Sequence, residues 1–298
     1  MNAPQKIAGF AFGLAVVFAV AFGVGATLGP DNAAGATAHV QSHDQPAAVD
    51  QQPAGLSASE DGYTVELAQP RADVGQQVPL RFRITDTTGA AVTRYVDNHE
   101  KQLHLIVVRR DLADYQHVHP VMDKDGTWSV PVDLSAGDYR VFADFIPAGG
   151  DPLTLGADLH VAGRYDPQSL PSAATTATVD GYTVTLTGDP TTNSQSTLTF
   201  SVAHNGKPVS DLQPYLGAYG HLVALRVSDL AYLHVHPMGE PNDGITTTGP
   251  EIAFGATVPS AGDYRLFLDF KHDNIVRTAE FTLPVASGEP SAEPAHGH

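Results

Sequence analysis

Residues 138–145 read DYRVFADF, and residues 263–270 read DYRLFLDF. Each is a short run rich in Tyr, Val, Leu and Phe with the period of two that a β-strand requires. Its recurrence shows that the chain is duplicated. Working outward, Ala136-Gly137-Asp138-Tyr139-Arg140 returns as Ala261-Gly262-Asp263-Tyr264-Arg265, and Asp61-Gly62-Tyr63-Thr64-Val65 returns as Asp180-Gly181-Tyr182-Thr183-Val184. The offset between copies is 119 residues at the latter block and 125 at the former, and most of the difference falls in GEPNDGITTTGP (residues 239–250), which reads as an inserted surface loop. Each copy holds about seven strand-like runs separated by Gly, Pro and Asp turns, with no amphipathic helix. Seven antiparallel strands in about 105 residues fit a two-sheet sandwich. The expected fold is therefore all-β: two tandem immunoglobulin- or cupredoxin-like β-sandwiches, following one N-terminal transmembrane helix.

Composition narrows the chemistry. The chain has 298 residues and a formal net charge of −17, so a phosphate backbone is repelled and nucleic acid is excluded as a partner. It contains no cysteine, which removes disulfides, thiolate zinc sites, iron–sulfur clusters and His₂Cys copper centres. A metal site here uses imidazole, carboxylate or thioether ligands.

Residues 7–28, IAGFAFGLAVVFAVAFGVGATL, carry no charge, follow Lys6 and precede Pro30 and Asp31. That length spans a bilayer as a helix, with the short N-terminal end in the cytoplasm and the remainder extracytoplasmic. The expected location is the cell membrane, single-pass. Ala36-Thr37-Ala38 offers the rival reading of a signal-peptide cleavage site, in which case the protein is secreted. The organisation expected is an anchor or signal peptide over 1–29, a flexible linker over 30–58, a first sandwich over 59–165, a linker over 166–175, a second sandwich over 176–285 and a His-containing tail over 286–298.

The histidines carry the functional signal. Residues 115–120 read YQHVHP and residues 232–237 read YLHVHP. In a strand His117 and His119 share one face, about 6 to 7 Å apart, as do His234 and His236; a metal can bridge such a pair, and the pair can also simply be polar residues facing water. His104 precedes His117 by thirteen residues and His221 precedes His234 by thirteen, a hairpin spacing that brings a third imidazole to each pair. His99, His160, His204 and His272 have no counterpart in the other copy. The expectation is one site per repeat: His104, His117 and His119 with Asp144, and His221, His234 and His236 with Asp269. Asp144 and Asp269 sit between aromatic residues on strands that read as core, where a carboxylate needs a cation or good donors. Two partners are open: a metal or ligating histidine, or the matched arginines Arg109 and Arg226. Met122 and Met238 follow the two hexapeptides and read either as soft ligands or as gap filling.

The segments HEKQLHLIVVRRDL and YQHVHP of the first copy, with DLQPYLGAYGHLVALRVSDLAYLHVHP of the second, resemble a group of actinobacterial membrane-anchored envelope proteins with tandem HxHP-containing β-sandwich repeats, described as heavy-metal-binding or copper-associated. The resemblance spans about residues 60 to 285 and implies an envelope role in metal handling.

Three function classes follow. The first is an extracytoplasmic metal-binding protein, for copper or zinc, that buffers metal or delivers it to a metal transporter or other envelope protein. The second is a structural or interaction pair of sandwiches with incidental histidines. The third is a metal-dependent enzyme. Against the third, the chain has no G-x-S-x-G, H-E-x-x-H or glycine-rich phosphate loop, and the expectation is that it is not an enzyme.

Overall fold

The computed structural model describes residues 53–233 and 235–287. The expected membrane segment, residues 30–52 of the linker, residues 288–298 of the tail and His234 lie outside the described residues. Every regular element among the described residues is a β-strand.

In the first repeat one sheet runs, in spatial order, Ser59–Glu60, Tyr63–Leu67, Gly75–Thr85, Thr127–Leu134 and Val121–Met122. The facing sheet runs Arg71–Asp73, Leu153–Ala162, Gly137–Pro147, Leu103–Arg109 and Gln116–Val118, with Tyr95–Val96 also pairing onto Gly137–Pro147. The second repeat has the sheet Thr176–Val179, Tyr182–Thr187, Gln195–His204, Glu251–Thr257 and Val235–Pro237, and a facing sheet Tyr232–Leu233, Gly220–Arg226, Gly262–His272 and Ile275–Val285. Alternation places one side chain in two between the sheets: in Thr127–Leu134, Trp128, Val130, Val132 and Leu134 are buried while Ser129, Pro131 and Asp133 face out.

Each repeat closes its own core. Phe82, Trp128, Val141 and Leu155 belong to the first, and Phe200, Phe254, Leu266 and Phe281 to the second. The recurring Ser-Ala-Gly-Asp-Tyr segment makes the same corner twice. The Tyr139 hydroxyl accepts from the Ser135 amide at 3.0 Å, and the Tyr264 hydroxyl donates to the Ser260 carbonyl at 3.0 Å. Gly137 and Gly262 turn these corners at φ of 137° and 133°, a region that a Cβ disfavours.

A third apolar cluster lies between the repeats and decides where the functional residues go. It contains Ile106, Val108 and Phe142 of the first repeat and Val223, Leu225, Tyr232 and Phe267 of the second. Strand Leu103–Arg109 is consequently buried at every position: Leu103, Leu105 and Val107 fill the first core, while Ile106 and Val108 fill the cluster between the repeats. Strands Gly137–Pro147, Gly220–Arg226 and Gly262–His272 are divided in the same way. These strands read as near-continuous apolar runs because both of their faces are covered, one by their own sandwich and one by the other repeat.

Candidate metal centre

Polar residues interrupt the apolar face between the repeats at matched places. Across the first-repeat sheet, Thr154 is in register with Asp144 and Asp144 with His104. Across the second, Thr278 is in register with Asp269 and Asp269 with His221. Each sheet thus presents the same row of threonine, aspartate and histidine to the other repeat. The Thr154 hydroxyl donates to Asp144 Oδ1 at 2.9 Å, and the Thr278 hydroxyl donates to Asp269 Oδ1 at 2.6 Å.

The hexapeptide of the first repeat brings His117 opposite Ile106, on the edge strand Gln116–Val118. From there it reaches both ways. His117 Nε2 lies 3.1 Å from His104 Nδ1, and His117 Nδ1 lies 2.7 Å from Asp269 Oδ2 of the other repeat. His221 stacks on His104 at 5.2 Å between centroids and 14° between planes, and stands 4.7 Å from His117. One ring nitrogen from each of His104, His117 and His221 lies within 4.8 Å of the other two.

Burial sets the charge state. It lowers the His104 pKa to about 4, against a weaker raising effect of the Asn98 carbonyl, and it lowers that of His119 to about 3. His221 is pushed well below its ordinary value by the same desolvation, reinforced by the neighbouring imidazoles. These rings are neutral at neutral pH and retain a lone pair. The hydrogen bonds also fix a tautomer. Asn98 offers its carbonyl at 2.9 Å from His104 Nε2, and a carbonyl only accepts, so His104 donates from Nε2 and holds its lone pair on Nδ1. His117 then donates from Nε2 into that lone pair, and one proton lies between the two imidazoles.

The grouping crosses the repeats, where the expectation placed one site in each; His234 of the expected second site lies outside the described residues. Among the described residues one cluster takes His104 and His117 from the first repeat and His221 and Asp269 from the second. Packing of the two interface faces is the cause, since it brings His117 to a carboxylate 152 residues away in the other repeat. His119 stands beside the cluster, its ring 5.0 Å from His104 and 4.9 Å from His117, but its nitrogens fall outside the grouped set. Asp144 meets Thr154 on the interface face of its strand and is also outside that set. His236 does not join: it is exposed and pairs with Gly255 in the other sheet of its repeat. The identical hexapeptide pattern is cut at different points. In the first copy the chain changes sheets after Val118, and in the second after Leu233, so His117 and His236 end on different sheets of their sandwiches.

The arginine alternative for the aspartates is overturned. Arg109 pairs with Asp111 at 2.8 Å and Arg226 Nε with Asp229 at 2.8 Å, each within its own hairpin turn. Although these aspartates are shifted by one residue between copies, the leucine that follows each takes a positive φ, 65° at Leu112 and 66° at Leu230. The methionines serve packing or face solvent: Met122 lies against the first core and Met238 is exposed.

Several participants were not singled out by sequence. Thr154 and Thr278 match between copies, but their neighbours differ, Leu-Thr-Leu against Arg-Thr-Ala. His99, unmatched in the second copy, places its ring 5.6 Å from His221 and 6.2 Å from His104. The hexapeptide tyrosines cross reciprocally: Tyr115 stacks on Phe267 at 3.9 Å and 4°, and Tyr232 meets Phe142 at 5.6 Å. The F-x-D segment of the second repeat thus receives both Tyr115 and His117 of the first.

Residues 58–163 and 177–287 each match the family described as Domain of unknown function (DUF8832). The chain belongs to the DUF8832 family. Its two copies of that domain contribute to the one histidine cluster described above. No curated protein is detectably similar in sequence. Among solved structures, the adhesin FdeC of Escherichia coli is 16% identical over 77% of this chain and 65% of its own, with a TM-score of 0.25. A DUF4426 family protein from Pseudomonas aeruginosa is 9% identical over 38% of this chain and 98% of its own, with a TM-score of 0.27. The adhesin InvE of Yersinia pseudotuberculosis is 11% identical over 74% of this chain and 58% of its own, with a TM-score of 0.22. The chain spans about two thirds or less of the two adhesin structures, and the β-sandwich assignment rests on the sheet orders given above.

Proposed function

We propose that the two sandwiches together hold one transition-metal ion, copper or zinc, in a membrane-anchored extracytoplasmic protein that buffers the metal or passes it to a transporter or other envelope protein. The observation that carries this reading is the set of three buried imidazole nitrogens within 4.8 Å of one another. The donors fit the ion. Three are imidazoles, of which burial holds His104 and His221 neutral, and the fixed lone pair of His104 faces His117 at 3.1 Å, close to the roughly 3.3 Å that separates two nitrogens on one tetrahedral zinc. Asp269 holds the other nitrogen of His117, the arrangement that commonly orients a metal-bound histidine. His104, His117 and His221 would hold the ion through their grouped nitrogens, with the proton shared by His104 and His117 released, and the protein's part would be to keep the rings dry and aimed. Elemental analysis and calorimetric titration of the full chain without a histidine tag test the proposal. One equivalent of copper or zinc is expected, and a chain that binds neither above background refutes it.

A second reading has its own support. The His104–His117 and His117–Asp269 bonds, with the stacked Tyr115 and Phe267, already tie the two repeats together without an ion. In that reading the protein is an interaction module in which the histidines dock one sandwich on the other. The same titration separates the two.

A further inference from the structure

We propose that His119 is the fourth ligand of the shared centre, so that a bound dication is enclosed by four imidazoles with no position left for solvent or substrate. This rests on the metal-binding reading above and goes further, because it assigns the site to holding an ion rather than to chemistry on a second molecule.

The leading observation is an orphaned atom. His119 Nε2 is buried and has no hydrogen-bond partner among the described residues. A buried imidazole nitrogen without a partner loses the free energy of its hydration, and such groups in native proteins call for an explanation, a bound ion among them. Its ring stands edge-on to both first-repeat ligands, 5.0 Å from His104 at 82° and 4.9 Å from His117 at 61°. A third neighbour, Tyr215, lies 6.3 Å away between centroids. His119 also lies just past the strand Gln116–Val118 and before Pro120, so its ring turns toward the cluster by side-chain rotation without breaking a ladder bond of that strand.

The donor set selects the ligand class. Four imidazoles, with no thiolate and with Asp269 already engaged by His117 and Thr278, suit borderline dications such as copper(II), zinc(II) and cobalt(II). Magnesium and calcium prefer oxygen ligands and are disfavoured. Three protein ligands leave a position for water or substrate, whereas four close a tetrahedral site.

Cobalt(II) and azide make the test direct. The metal-stripped full chain is loaded with cobalt(II), its visible spectrum is recorded, and azide is titrated in. Azide is expected to leave the wild-type spectrum unchanged and to shift the visible bands of His119→Ala, whose lost ligand opens a position. A wild-type spectrum that azide shifts, or a His119→Ala spectrum that it does not, overturns the closed site while leaving metal binding intact. A variant-independent measurement covers the case in which His119→Ala does not fold: electron paramagnetic resonance of the wild-type copper(II) form counts coordinated imidazoles, with four expected and three overturning the proposal. A chain that takes up neither cobalt nor copper refutes the metal-binding reading and the closed site together.

Discussion

Replacing Asp269 by alanine tests whether the cluster couples the two repeats. The carboxylate receives His117 Nδ1 of the first repeat at 2.7 Å and the Thr278 hydroxyl at 2.6 Å, and the His117 and Asp269 side chains are only 2% and 3% exposed. Alanine leaves two buried donors without an acceptor, at about 1–3 kcal/mol each, so metal-free stability is expected to fall by about 2–6 kcal/mol. Asparagine keeps one acceptor for His117, while Thr278 can turn to accept from the amide. It forgoes only the charge-assisted part of the bonds, about 1 kcal/mol. The single tryptophan makes the assay selective. Trp128 stacks on Phe82 in the first core, 6.4 Å between centroids, so its fluorescence reports unfolding of the first repeat although Asp269 belongs to the second. With a urea m-value of about 1–3 kcal/mol/M, a loss of about 3 kcal/mol lowers the midpoint by about 1–3 M. The measurement is made with metal stripped, since a bound ion itself stabilises the native state. A Trp128 midpoint that is the same in wild type and Asp269→Ala would show that the bond across the interface contributes nothing to holding the first repeat.

If the centre is shared, His117→Ala and His221→Ala, in different repeats, each remove the whole of metal binding in a calorimetric titration; retention of one of two equivalents in either variant refutes the shared site. The metal-free protein should lose stability as pH falls below about 6.5, because His104, whose pKa falls to about 4 on folding, takes up a proton more readily when unfolded. The slope from this residue is about 1.4 kcal/mol per pH unit between those two values, and urea midpoints at pH 7, 6 and 5 that do not change would contradict it. Metal affinity should hold to lower pH than the unperturbed histidine value of about 6.5 suggests, since the same burial keeps the His104 and His221 rings neutral; a tenfold loss per unit already at pH 7 to 6 from each of these ligands would oppose that. Tyr115→Phe keeps the stack on Phe267 and removes a buried hydroxyl that has no hydrogen-bond partner among the described residues, so it should raise thermal stability, by about 1 kcal/mol; a clear drop in melting temperature would mean that the hydroxyl is engaged.

The β-sandwich pair was legible in the sequence because its cause is local. Alternation along TWSVPVDL, the turn glycines 137 and 262, and the doubling of Ser-Ala-Gly-Asp-Tyr each act within a few residues, and a repeat makes them visible twice. His104, His117 and His221, which the structure groups, were also marked by matched spacing in the two copies. Sequence did not say which of them meet. His104, Asp144, His221 and Asp269 sit on strands whose apolar runs look like ordinary core, and a run buried on both faces carries no sign of what covers the second face. Tertiary packing supplied that cover as the other repeat, brought Asp269 to His117 and Phe267 to Tyr115, and left the arginines to their own turns. It also cut two matching hexapeptides at different places, sending His236 to a different sheet from the one that carries His117. Spacing along the chain fixes what lies one strand away, while contact across 152 residues depends on how two finished surfaces fit.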